Sequence, residues 1–232
     1  LNLYSLFDYF QDIASEHAVK LGYGRDDLLE HNNFWVLSRI FSEIGEMPAW
    51  GDNIKVTTWP RGVDKLFALR DYEVRDREGR LLCSATSSWL IIDKTSRKIK
   101  RPDNILSSFK AEPEFMNPLP RNANKLDPVD GESVITSRFR VRVSDLDINL
   151  HTNNVRYLKW VIDTLSPGFI VNNIPVFAEI NYLAESRFDD EILIRKSEKD
   201  GEKILTDYSI IRTTDNTELS RVRLIWKKPV NG

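Results

Sequence analysis

Apolar residues recur at three- and four-residue spacing from the start of the chain. Leu3, Leu6, Phe7, Phe10, Ile13, Ala14, Ala18 and Leu21 form the stripe of an amphipathic helix, and Gly22 and Gly24 stop it. From Phe34 to Ile44 the residues are β-formers. The runs "DNIKVTTWP", "KLFALRDYEVRD" and "GRLLCSATSSWLIID" then read as strands, separated by turn residues such as Arg61-Gly62 and Glu78-Gly79. Residues 101–130 hold five of the ten prolines and show no sustained period, so they read as a linker. The strand "VITSRFRVRV" follows, alternating Arg138, Arg140 and Arg142 with Phe139, Val141 and Val143 so that the arginines share a face. A helical run over 154–165 precedes four more strands, "VFAEINYLAES", "DDEILIRKSEKD", "KILTDYSIIRTTD" and "ELSRVRLIWKK".

The two halves read as copies. Asp52, Tyr72 and Trp89 in the first match Asp190, Tyr208 and Trp226 in the second, at nearly the same spacing and on corresponding strands. A helix plus several antiparallel strands, twice, predicts a duplicated α+β unit in which each helix packs on a sheet. The expected boundaries are 1–110, a linker over 111–130, and 131–232.

Composition narrows the picture without changing it. Hydrophobic content of 41%, charged content of 29% and a formal net charge of -2 are those of an ordinary globular protein, and argue against an electrostatic nucleic-acid binder. No stretch approaches the roughly 18 apolar residues that span a bilayer, and the N-terminal residues lack a secretory pattern, so no stable membrane insertion and a cytoplasmic setting are expected. The single cysteine, Cys83, has no intramolecular disulfide partner and reads as a small core residue.

One stretch, "SDLDINLHTNNVRYLKWVID", concentrates candidate chemistry. Asp147, Asn149 and His151 alternate, so an extended backbone would present them on one face with Ile148 and Leu150 on the other. Thr152, Asn153 or Asn154 would cap the helix that follows, whose first N–H groups, near Asn153 and Asn154, offer partial positive charge to an oxyanion. Such a set suits acyl transfer. It equally suits a polar loop that only caps a helix, and spacing leaves both open. A metal site is disfavoured because Asp147 and His151 have no third ligand nearby. Glu185, at the end of an apolar strand, is a second candidate, a carboxylate that partial burial could tune toward general-base work. Ser186 beside it would need a base to act as a nucleophile. No GxSxG, phosphate-binding glycine loop, HExxH or CxxC occurs. His17 and His31 read as packing or solvent-facing residues.

The same stretch closely resembles the signature of the acyl-acyl carrier protein thioesterases of plants and bacteria, S-D-L-D-x-N-x-H-x-N-N-x-x-Y before a helix. "FWVLSRIFSEIGEMPAWGDNIKVTTWPRG" and "SATSSWLIIDKTSRKIKRP" are similar to two further segments of that family, in the same order. The resemblance implies two tandem hotdog folds, each a long helix packed on an antiparallel sheet. It implies hydrolysis of fatty acyl-acyl carrier protein with no cofactor and no metal, and places the acyl chain in the first half, where the helix over 3–21 and the strand around Trp35 would line a pocket. It implies that Asp147, Asn149, His151 and Glu185 form the catalytic set. Where the plant pattern has cysteine, this chain has Ser186, which argues against that position as the nucleophile. An acidic carrier protein would need a basic landing surface, for which Arg97, Lys98, Lys100 and Arg101 on one turn and Arg138, Arg140 and Arg142 on one strand are candidates. Rival readings are a coenzyme A thioesterase of the same fold and a non-catalytic acyl-thioester sensor. A hotdog hydratase fits less well, because its histidine follows the asparagine by three positions instead of two. Oligomeric state, including a homodimer, is left open.

Overall fold

The structure is a computed structural model of the chain and describes residues 2–104, 119, 121–129, 133–199 and 201–229. It divides into two compact units, Leu1–Ala123 and Asn124–Gly232.

The first unit opens with helix α1 (Leu3–Lys20), which buries Leu3, Leu6, Phe7, Phe10 and Ala14. Gly22 ends it in the left-handed region (φ +73), with the Tyr23 N–H returning to the Ala18 carbonyl at 2.9 Å. Four long strands follow, β1 (Asn33–Ile44), β2 (Lys55–Asp64), β3 (Phe67–Arg75) and β4 (Leu81–Asp93), with the two-residue β5 (Ile99–Lys100) paired to β4. All pairs are antiparallel, in the order β2-β3-β4-β1. Phe10 of α1 meets Tyr72 of β3 with ring centroids 4.8 Å apart, which seats the helix on the sheet.

The second unit carries β6 (Val134–Arg140), α3 (Asn154–Ile162), β7 (Ile174–Tyr182), β8 (Glu191–Lys199), β9 (Ile204–Arg212) and β10 (Thr217–Lys227), with sheet order β6-β8-β9-β10-β7. Without β6 this is the connectivity of the first unit repeated, and Tyr72 and Tyr208 are both buried on its equivalent strands β3 and β9. Both units are thus the helix-on-antiparallel-sheet arrangement of a hotdog fold. Helix α3 buries Val155, Tyr157, Leu158, Trp160 and Val161. Leu158 and Val161 are fully buried, at roughly 1.5–3 kcal/mol each.

Several elements differ from expectation. Arg61-Gly62 is not a turn: Gly62 (φ +128) sits at a bulge inside β2, and the chain reverses at Lys65 (φ +56). Strand β6 ends at Arg140, so Arg142 is not on its face. Two short helices were not anticipated, α2 (Arg25–Glu30) and α4 (Pro167–Asn172). For α4 the signal was present, a Ser166 cap followed by a proline at the first helical position.

Of the expected linker, residues 111–118, 120 and 130 lie outside the described residues. Its described part is bound into the units. Arg61 donates to the carbonyls of Leu119 and Arg121, each at 3.2 Å, and to Asn122 Oδ1. In the second unit, Asn181 accepts from the Leu126 N–H at 2.8 Å and donates to the Asn124 carbonyl at 2.9 Å.

Candidate functional site

The segment Asp147–His151 is not extended. It folds back on itself as a hairpin turn: Leu146 pairs with Thr152, the Asp147 N–H donates to the His151 carbonyl at 2.8 Å, and the Leu150 N–H donates to the Asp147 carbonyl at 3.0 Å. Leu150 takes φ +60 to close it. The alternation expected from an extended strand is therefore not what gathers these side chains. The turn gathers them, and Asp147 helps build it, its Oδ1 accepting the N–H groups of Asn149 at 2.8 Å and His151 at 3.2 Å. Asn149 Nδ2 lies 3.5 Å from the other oxygen, Oδ2. Ile148 and Leu150 are left 80% and 70% exposed.

The returning arm of the hairpin pairs with the loop after β7. His151 bridges Arg187, and the Thr152 N–H donates to the Ser186 carbonyl at 2.9 Å. This pairing sets His151 Nδ1 3.6 Å from Glu185 Oε1. Arg212 of β9 fixes the same loop by donating to the Glu185 carbonyl at 3.0 Å. Glu185 lies in the loop beyond the end of β7, not at the strand end expected, and its side chain keeps 42% of its exposure.

Asn153 is the helix cap, its Oδ1 accepting the Val155 N–H at 2.9 Å. Its own N–H is engaged by the Asp145 carbonyl at 2.8 Å, which removes it as an oxyanion donor. The Asn154 N–H makes no hydrogen bond among the described residues.

Buried beneath these groups lies a cluster of three hydroxyls, Thr152, Tyr157 and Ser186, whose grouping the sequence does not show. The Ser186 hydroxyl donates to Thr152 Oγ1 at 2.7 Å, and the Tyr157 and Ser186 hydroxyls meet at 2.9 Å. The Ser186 N–H donates to the Tyr157 oxygen at 3.1 Å. Burial pushes the Tyr157 phenol up, against hydrogen bonds from Ser186 and Thr152, so it stays a neutral hydroxyl able to donate and accept. Tyr157 belongs to the Asn-Asn-x-x-Tyr end of the signature, which marked its position without a role. Arg212 left no such signal, because its contact is made from a distant strand.

The basic candidates separate into two kinds. Arg97, Lys98, Lys100 and Arg101 are exposed around the β4–β5 hairpin; Arg97 stacks 5.3 Å from the Phe34 ring and Lys100 pairs with Asp93 at 3.3 Å. Arg138 and Arg140 share a face of β6, but Arg140 is ion-paired to Asp189 at 3.0 Å and Glu191 at 3.7 Å. Arg142 is exposed in the turn beyond the strand.

The acyl-ACP thioesterase N-terminal domain model matches residues 1–109 and the C-terminal domain model matches residues 130–228. The chain belongs to the acyl-ACP thioesterase family. It is 26% identical to a chloroplastic acyl-acyl carrier protein hydrolase of Cuphea viscosissima, over 96% of this chain and 57% of that protein. It is 29% identical to the chloroplastic palmitoyl-acyl carrier protein thioesterase of Arabidopsis thaliana, over 72% of this chain and 43% of that one. The chain thus spans only about half the length of these relatives. Among solved structures, an acyl-ACP thioesterase from Bacteroides thetaiotaomicron superposes with a TM-score of 0.85 at 26% identity, over 98% of this chain and 90% of that chain. The 12:0-ACP thioesterase of Umbellularia californica, at 20% identity and a TM-score of 0.83 over 98% and 90% of the two chains, shares the fold. No helix among the described residues is long and apolar enough to cross a membrane.

Proposed function

We propose that this protein hydrolyses the thioester of fatty acyl-acyl carrier protein, releasing the free fatty acid and the holo-carrier. The observation that carries the reading is the approach of His151 to Glu185 at 3.6 Å, beside a hairpin bearing Asp147 and Asn149, in a chain of this family. A carboxylate–imidazole pair can take a proton from water as it adds to the thioester carbonyl carbon. The imidazolium then returns the proton to sulfur as the C–S bond breaks, giving the acid and the free thiol. Asn149 would orient the acyl carbonyl, and the Asn154 N–H would support the oxyanion.

Two routes are chemically available to this set: attack by Asp147 itself, and water directed by Glu185. The geometry favours water. Both backbone N–H bonds fall on Asp147 Oδ1, which withdraws electron density from the carboxylate and ties it to the turn. Asp147 then acts by holding Asn149 and the His151 backbone in place.

The exposed basic β4–β5 hairpin is the better candidate for docking an acidic carrier, since Arg140 already has two carboxylate partners. A cytoplasmic setting belongs to the same reading, supported by the unpaired thiol of Cys83. The test is release of free thiol from carrier-bound acyl chains of several lengths, with the same chains on coenzyme A in parallel. Turnover on the carrier that collapses in Asp147→Ala is expected. Absence of turnover on every acyl carrier would overturn the reading, and a strong preference for coenzyme A would reassign the substrate.

A further inference from the structure

We propose that Ser186 is a positioning residue, which through Thr152 and Tyr157 holds the His151 arm and the Glu185 loop in register. The inference rests on the reading of His151 and Glu185 as part of a thioesterase site.

The argument begins with neighbours in the chain. Thr152 follows His151 and Ser186 follows Glu185, so in two paired extended arms the first pair faces opposite to the second. Burial agrees: Thr152 and Ser186 are 6% and 0% exposed, whereas the His151 and Glu185 side chains keep 27% and 42%. One side of the pairing is a buried set of hydroxyls and the other is the candidate site.

The strengths of the two sides are unequal. An exposed His–Glu approach at 3.6 Å is too weak to hold its own geometry. Beneath it, Ser186 engages all of its polar groups. Its hydroxyl donates to Thr152, its N–H donates to Tyr157, its carbonyl accepts from the Thr152 N–H, and its oxygen meets the Tyr157 hydroxyl. Tyr157 is anchored in turn by edge-on rings of Trp160 at 5.1 Å and Tyr182 at 5.9 Å. The register of the exposed pair is therefore imposed from the buried side. Ser186 is not itself a nucleophile, because it is fully buried and its hydroxyl contacts are other hydroxyls.

The experiment compares Ser186→Ala, Ser186→Cys, Tyr157→Phe and the Ser186→Ala/Tyr157→Phe double variant with wild type. It reads kcat and KM on acyl carrier protein, the urea midpoint, and the nuclear Overhauser contact between the His151 ring and the Glu185 methylenes. Ser186→Ala and Tyr157→Phe should each lower kcat by about ten- to a hundredfold with KM within about twofold, and weaken the His151–Glu185 contact while the protein stays folded. The double variant should be little worse than either single one, and Ser186→Cys, which keeps a weak donor and acceptor, should recover much of the loss. Unchanged kcat with an intact contact in Ser186→Ala overturns the proposal. So does a loss that Tyr157→Phe does not share, which would assign Ser186 a chemical role. If wild type turns over no acyl carrier, the functional reading fails, and the magnetic resonance contact still decides whether Ser186 positions the pair.

Discussion

His151 Nδ1 stands 3.6 Å from Glu185 Oε1, joining the hairpin before α3 to the loop after β7. Glu185→Gln and His151→Ala should each lower kcat by about a hundredfold or more if the two move one proton together. The double variant should then be no worse than the worse single one, because a unit can be broken only once. Steady-state thiol release on all four proteins decides it, and additive losses would mean that the two act separately.

Asp147 invites a sharper test. Its Oδ1 accepts from the N–H groups of Asn149 and His151, a duty that an asparagine oxygen can also perform. Asp147→Asn should keep the turn and a measurable fraction of activity, whereas Asp147→Ala should lose both. If Asp147→Asn is as dead as Asp147→Ala while its urea midpoint stays at the wild-type value, the carboxylate itself does the chemistry, and direct attack returns as the preferred route.

The legibility of this site has a physical boundary. Asp147, Asn149 and His151 are candidates because they sit in the signature stretch, and Glu185 because it precedes the position where the plant pattern has cysteine. Their geometry was not legible, because alternation predicts a strand wherever nothing breaks it. Here the breaker is Leu150 at φ +60, a residue with no left-handed preference, so no glycine marked the turn. The fold was legible for the opposite reason. Long apolar periods such as that of α1 survive tertiary context, while six-residue helices such as α2 lie within reach of local capping alone.

Leu150 itself is then a site for engineering. The left-handed conformation costs a non-glycine residue about 1–2 kcal/mol, and glycine's extra freedom when unfolded offsets part of that gain. Leu150→Gly should raise stability by about 0.5–1 kcal/mol in urea unfolding. Leu150→Val, β-branched in the same conformation, should lower it. A destabilised glycine variant would show that the turn does not form as described.

Cys83 should be chemically silent in the folded protein. Burial pushes its thiol up to about 12, and its near neighbour is the Ser42 hydroxyl at 2.9 Å. At pH 8 only about one thiol in ten thousand is then the reactive thiolate. Aromatic disulfide reagents should label the native protein far more slowly than the protein in urea, and should leave thioesterase activity intact. Rapid labelling with loss of activity would place a reactive thiol near the chemistry instead.

Asp71 gives stability a pH dependence whose sign can be worked out. It is almost fully buried on β3, Thr86 donates to its Oδ1 at 2.7 Å, Arg61 lies 3.5 Å away, and its Oδ2 has no hydrogen bond among the described residues. Burial is the leading influence and pushes its carboxyl up, against the pull of Thr86 and Arg61. A group raised on folding favours the folded state in its protonated form. That contribution is fully present below the ordinary carboxylate range and is lost as pH rises through the folded value. Asp71→Asn keeps an acceptor for Thr86 and removes the titration, so its stability relative to wild type should improve in urea unfolding as pH rises above the ordinary carboxylate range, and level off once pH passes the folded value. Arg61→Met should do the reverse at pH 7, costing about 3 kcal/mol by leaving the buried carboxylate without its cation and the 119–122 segment without its donor. In the Asp71→Asn background the same arginine change should cost clearly less, and equal costs in both backgrounds would show that Arg61 acts on the segment alone.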